Sequence, residues 1–114
     1  MPSWHLEDAD PIAAENRYTF YKPTRELIAR VRPGEVVKLI FCFSSDDPAA
    51  PRAERMWVVV DEVLPDGSFR GRLNNDPRHI QDLMLNDPVS FQPCHIINTQ
   101  HDDDNNLVER YIKR

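Results

Sequence analysis

The chain has 114 residues, 40% of them apolar and 29% charged, with a net charge of −5. This length fits one domain, and the composition is that of a folded globular chain. The acidic balance argues against a nucleic-acid binder, whose phosphate contacts need a basic footprint.

Residues 1–18 are polar and are taken as an N-terminal extension, with Trp4 and Leu6 able to pack on the body. The start lacks the basic and apolar blocks of a signal peptide, so the expectation is a cytoplasmic protein. No apolar run approaches the ~20 residues of a membrane span; the longest, 39–43 and 56–60, have five. The domain itself is expected over 19–98, followed by a polar linker and a C-terminal helix over 99–114.

Thr19 to Tyr21 is β-prone and ends at Pro23. Thr24 is a candidate N-cap for a short helix over 25–32, with Leu27, Ile28 and Val31 inward, closed by the Pro33-Gly34 turn. Val36 to Phe43 is apolar on both faces, which places it centrally with cover on both sides. Residues 44–53 form a polar loop with two prolines, carrying Asp46 and Asp47. Glu54 to Leu64 is the second strand, and Trp57 is expected to face the core. Pro65-Asp66-Gly67 marks a hairpin into a third strand over 68–73. There Phe69, Gly71 and Leu73 face inward, Arg70 and Arg72 face solvent, and Gly71 marks a bulge or a close backbone approach.

Asp76-Pro77 has the form of a helix start, and Ile80, Leu83 and Met84 would make the inner stripe of a helix ending near Leu85. Asn86 suits the left-handed position after it. Val89 to Phe91 is a short strand, and 94–98 continues as a strand or single turn. The expected fold is therefore α+β: a small, strongly bent antiparallel sheet or partly open barrel with two or three short helices.

Catalytic signatures are missing. Three glycines cannot make a phosphate loop, and there is no GxSxG or HExxH. Cys94 and His95 are adjacent, so in a strand they point to opposite faces and do not form a nucleophile and base. Two cysteines and four histidines show no zinc spacing, so no metal or cofactor is expected. Cys42, inside an apolar run, is read as a buried strand residue. Arg70 and Arg72, with Lys38, leave open a small-ligand or nucleic-acid-binding barrel, and Asn74, Asn75, Asp76 and His95 leave open an uncharacterised enzyme.

Four stretches carry a resemblance: 34–41 (GEVVKLIF), 54–60 (ERMWVVV), 71–77 (GRLNNDP), and 86–91 (NDPVSF) with His95-Ile96. In this order and spacing the chain resembles the bacterial YegJ-like family of unknown function, to which immunity proteins of polymorphic toxin systems are related. It departs from that pattern at Asn86, where glycine is usual, and at Pro88. The resemblance implies a cytosolic α+β binding protein, not an enzyme, that neutralises a cognate toxin by direct contact. It supplies no catalytic residues. The polar motif residues Lys38, Glu54, Arg55, Asn74, Asn75 and His95 are the expected site. Asp46 and Asp47, with Asp102 to Asp104, would face a basic toxin-like partner.

Overall fold

The structure, a computed structural model, describes residues 3–15, 22–44, 48–49 and 51–100. Among the described residues six strands form one antiparallel sheet: β1 (Trp4–Leu6), β2 (Val36–Phe43), β3 (Ala53–Val63), β4 (Phe69–Leu73), β5 (Pro88–Phe91) and β6 (Ile96–Thr99). The order is β1-β2-β3-β4-β5, and β6 joins β2 on the same edge as β1. The sheet curls into a nearly closed half-barrel with two short helices, α1 (Asp10–Glu15) and α2 (Arg25–Ala29), as the α+β expectation required.

Period-two alternation fixes the faces. Val37, Leu39, Phe41 and Phe43 of β2 meet Met56, Val58 and Val60 of β3 and Phe69 and Leu73 of β4 in the main core. The other face of β2 is covered as well: Ile40 packs with Ala9 and Ile97, against Ile12 and Cys42. A strand apolar on both sides is thus central and covered on both sides, as its sequence requires.

Trp57 departs from expectation. It pairs with Lys38 and lies on the outer face, half-buried, because its neighbours Met56 and Val58 take the inward positions. Both alternating sets of β3 are apolar, so the sequence pattern does not choose between them. Cys42 is half-buried rather than buried.

The β3–β4 hairpin forms at Pro65–Gly67, where Leu64 N–H donates to Ser68 C=O over 2.8 Å and Gly67 takes φ 89°. Asp66 Oδ1 accepts from both the backbone and the hydroxyl of Ser68. Gly71 is a close approach: a Cβ there would meet the Val59 carbonyl oxygen and lie 2.8 Å from Val58 Cγ1. The register shift falls on the facing strand, between Val60 and Glu62. Thr24 caps α2 by accepting from Leu27 N–H, and the helix ends at Ala29, shorter than 25–32.

The expected helix over 77–85 does not form. Residues 74–87 are irregular, and the Glu54 carboxylate accepts from three successive backbone donors, Arg78, His79 and Ile80. Those bonds wrap the chain around one carboxylate instead of aligning it on a helix axis. Ile80 and Leu83 are still buried, but Met84 is exposed. Asn86 has φ 72° and donates to the Leu73 carbonyl, while Leu73 N–H donates to Asp87, so the segment closes on the end of β4.

The N-terminal extension is partly sheet: β1 pairs with β2, and Trp4 and Leu6 pack against the core. Residues 93–95 form a 3₁₀ turn before β6. The strand expected at 19–21, the helix at 107–114, Asp46, Asp47 and Asp102 to Asp104 lie outside the described residues. Among the described residues no helix is long and apolar enough to cross a membrane.

Candidate functional site

Each polar motif residue has a definite place. Lys38 Nζ lies 4.9 Å from the centre of the Trp57 ring, a cation–π contact on the outer face. Asn75 Oδ1 accepts from Trp57 N–H, and Asn74 N–H donates to Trp57 C=O over 2.8 Å. Lys38, Asn74 and Asn75 therefore meet around Trp57. Arg55 is exposed and faces Ile40 across the ladder. Glu54 points the other way, into the 78–80 backbone. Burial pushes its carboxyl pKa up, but the three backbone donors outweigh this, and the net shift is downward.

His95 sits beyond the other edge of β2. Its Nδ1 accepts from Gln92 N–H over 3.0 Å, which requires the neutral ring, and burial holds its pKa below the ordinary value. Cys94 beside it has its thiol pKa raised by burial, and next by the charges of Asp8 and Asp10. A thiol held protonated, next to an imidazole committed to the backbone, has no activated nucleophile. Glu54, Asn75 and His95 thus use their polar atoms to hold backbone, and the motif residues do not converge on one concave site.

A concave site lies elsewhere. A cavity of about 440 Å³ opens beneath α2, between the hairpin end of β3–β4 and the Pro93–Cys94 turn. Its wall is apolar, from Ile28, Val31, Val63 and Phe69, and Phe69 is held by stacking on Phe91 with centroids 5.1 Å apart. At its rim Lys22 is 7% exposed. The ammonium reaches Asp10 Oδ1 at 3.2 Å and the Pro93 carbonyl at 3.3 Å. An ammonium has three donors, and among the described residues these two partners occupy two of them at a lysine that lines the cavity. Arg25 also lines the rim and is exposed. Asp10, Lys22 and Arg25 together leave the rim with one net positive charge.

Sequence reasoning missed Lys22, Asp10 and Arg25. Lys22 precedes Pro23 at the end of a β-prone run and carries no motif signal. Its burial follows from contacts with residues 12 and 71 positions away. A further set, His5, Glu7 and Cys42, brings metal-ligating atoms within 4.8 Å of one another. Compared with family models, curated proteins and solved structures, the chain gives no match. None of these comparisons ties the chain to the YegJ-like family.

Proposed function

We propose that the protein is a non-catalytic binding protein whose cavity beneath α2 takes a small amphipathic anion. The observation that carries this is a lysine only 7% exposed at the rim of an apolar cavity of about 440 Å³. Ligand pockets of about 300–1,000 Å³ typically combine an apolar wall with a few placed polar groups. The ligand body lies against Ile28, Val31 and Phe69. Its carboxylate or phosphate head accepts from Lys22 and is attracted by Arg25. A cytoplasmic setting belongs to the same proposal, supported by two free cysteines where an oxidising compartment favours pairing.

The test is a calorimetric titration with linear carboxylates of increasing chain length, and with the matching alcohols. Carboxylates should bind with affinity rising with chain length, and alcohols should bind at least about tenfold more weakly, the value of one charge-assisted bond. Lys22→Met should remove that difference. Equal binding of acids and alcohols, or no heat from either, sinks the reading.

One observation favours a second reading, inhibition of a protein partner. Met84 and Leu85 are adjacent and 66% and 47% exposed on the 74–87 segment, an apolar tip on an acidic protein. Exposed apolar groups at a loop tip suit a docking surface, and net negative charge steers a basic toxin-like domain. In a pull-down from source cells, a stoichiometric basic partner lost in Met84→Glu would support this reading. A partner unaffected by that change would exclude the tip.

A further inference from the structure

His5 lies on β1, and Glu7, two residues on and just past its end, keeps the extended pairing with β2, so the two face the same side of the sheet. Cys42 lies directly across from His5 in the β1–β2 register and faces that side too. The alternate residues, Trp4 and Leu6, turn inward to the core. An imidazole nitrogen, a carboxylate oxygen and a thiol sulfur thus lie within 4.8 Å of one another along the β1–β2 pairing and the first residue beyond it. Cys42 Sγ donates to Glu7 Oε2 over 3.1 Å.

We propose that His5, Glu7 and Cys42 form a binding site for a divalent ion of the zinc class, with its remaining coordination open to solvent. This site is independent of the cavity beneath α2. The donor set decides the class of ion. Sulfur and imidazole suit zinc and its neighbours, whereas calcium and magnesium require oxygen ligands. Tetrahedral zinc, with bonds of about 2.0–2.3 Å, sets its donors roughly 3.3–3.8 Å apart. The three donors need only small side-chain rotations to reach that spacing, because the backbone register already aligns them. The Glu7 N–H bond to the Ile40 carbonyl, at 3.0 Å, continues the pairing past the end of β1 and fixes the strand under Glu7.

Charge favours the same arrangement. The proton now shared between Cys42 Sγ and Glu7 leaves to solvent as the sulfur–metal bond forms. Thiolate and carboxylate then neutralise the ion, so a half-buried site holds no net charge. His5 is exposed and gives the ion a way in, while Cys42 packs beside Ile40 and Ile97, which dry one side of the site.

The experiment is a Co(II) titration of the chelator-treated full chain at about pH 7.5, read by the sulfur-to-cobalt charge-transfer band in the near ultraviolet. The expected result is a band that saturates at one equivalent, is displaced by Zn(II), and is abolished in Cys42→Ser. It should persist in Cys94→Ser. His5→Ala, at an exposed position, should weaken Co(II) binding by at least about tenfold without changing the far-ultraviolet spectrum of the metal-free protein. A wild-type protein with no band at excess Co(II), or a band that survives Cys42→Ser, overturns the proposal. So does Co(II) affinity unchanged in His5→Ala.

Discussion

The β3–β4 hairpin and the segment from Asn74 to Asp87 are neighbours in sequence and are held by different bonds. The hairpin rests on a backbone ladder from Val58–Leu73 to Val63–Phe69, closed by a Pro-Asp-Gly turn. The 74–87 segment has no ladder of its own. Apart from backbone bonds near its two ends, carboxylates and an amide hold it: Glu54 takes three backbone N–H groups, Asp87 takes Met84 N–H, and Asn75 takes Trp57 N–H. Where the ladder governs, side-chain identity matters mainly for size and face. Where side chains bond the backbone, one substitution releases several donors together.

The largest effect should come from the ladder, at Gly71. Its Cβ would strike the carbonyl of Val59, a backbone atom fixed by the neighbouring pairs, as well as Val58 Cγ1. Overpacking with no flexible atom to yield costs at the upper end of its range, so Gly71→Ala should lose about 3 kcal/mol in urea unfolding. A loss below about 1 kcal/mol would mean that β3 and β4 can part locally, and the rigidity assigned to the hairpin would be wrong.

Next comes Glu54. Removing the carboxylate leaves three donors to find water, one of them on the buried residue Ile80. Glu54→Ala should cost about 2 kcal/mol, and Glu54→Gln, which keeps one acceptor oxygen, about half of that. The charge adds a pH signature. The folded pKa lies below the ordinary carboxylate value, so this contribution is fully present above the unfolded pKa, near 4.5, and is lost as pH falls through the folded value. Thermal unfolding followed downward from about pH 5 should show a shallower acid decline in Glu54→Gln than in the wild type. Parallel declines would remove Glu54 from the account.

These two regions also mark what the sequence made legible. Continuous apolar runs bounded by turn residues located β2 and β3, and one-face alternation located β4, each to within a residue or so. Turn residues placed the hairpin, and Asn86 was recognisable as a left-handed position. The helix over 77–85 looked equally well signed, with Asp76, Pro77 and spaced apolar residues. It fails because Glu54, more than twenty residues earlier, claims the backbone that a helix would align. Local pattern does not contain that bond. The same limit hid Lys22 and the His5–Glu7–Cys42 set. His5 and Glu7 show the spacing of one strand face, but Cys42 joins them only through the β1–β2 register. The motif residues misled in the opposite way. Glu54 and Asn75 looked like site residues because packing did not explain them, and their work is to tie down backbone.

His95 gives a smaller effect of the same kind as Glu54. Its neutral Nδ1 holds Gln92 N–H at the turn before β6, and burial lowers its folded pKa. A base with a depressed folded pKa stabilises fully above its unfolded value, near 6.5, and loses that contribution as pH falls through the folded value. Stability should therefore fall in the wild type as pH drops below about 6.5, and the fall should flatten in His95→Asn, which cannot titrate. A slope unchanged in that variant would show that the fall comes from other groups.

The smallest effect belongs to the exposed face of the hairpin. Arg72 Nε lies 2.9 Å from Asp61 Oδ2, and Arg70 faces Glu62 at 3.8 Å, so the basic stripe of β4 is matched by acids on β3. The Asp61 hydrogen bond and charge raise the Arg72 pKa further, but an arginine is already charged at every working pH, so that shift has no pH signature. Both partners are solvated, and exposed pairs contribute little beyond what water supplies. Arg72→Gln should leave the unfolding midpoint unchanged in about 0.15 M salt, while Gly71→Ala, one residue away on the opposite face, collapses it. That contrast between adjacent residues assigns the hairpin's stability to its inner face and backbone ladder. A clear loss in Arg72→Gln, abolished by high salt, would instead place part of it in the outer charges.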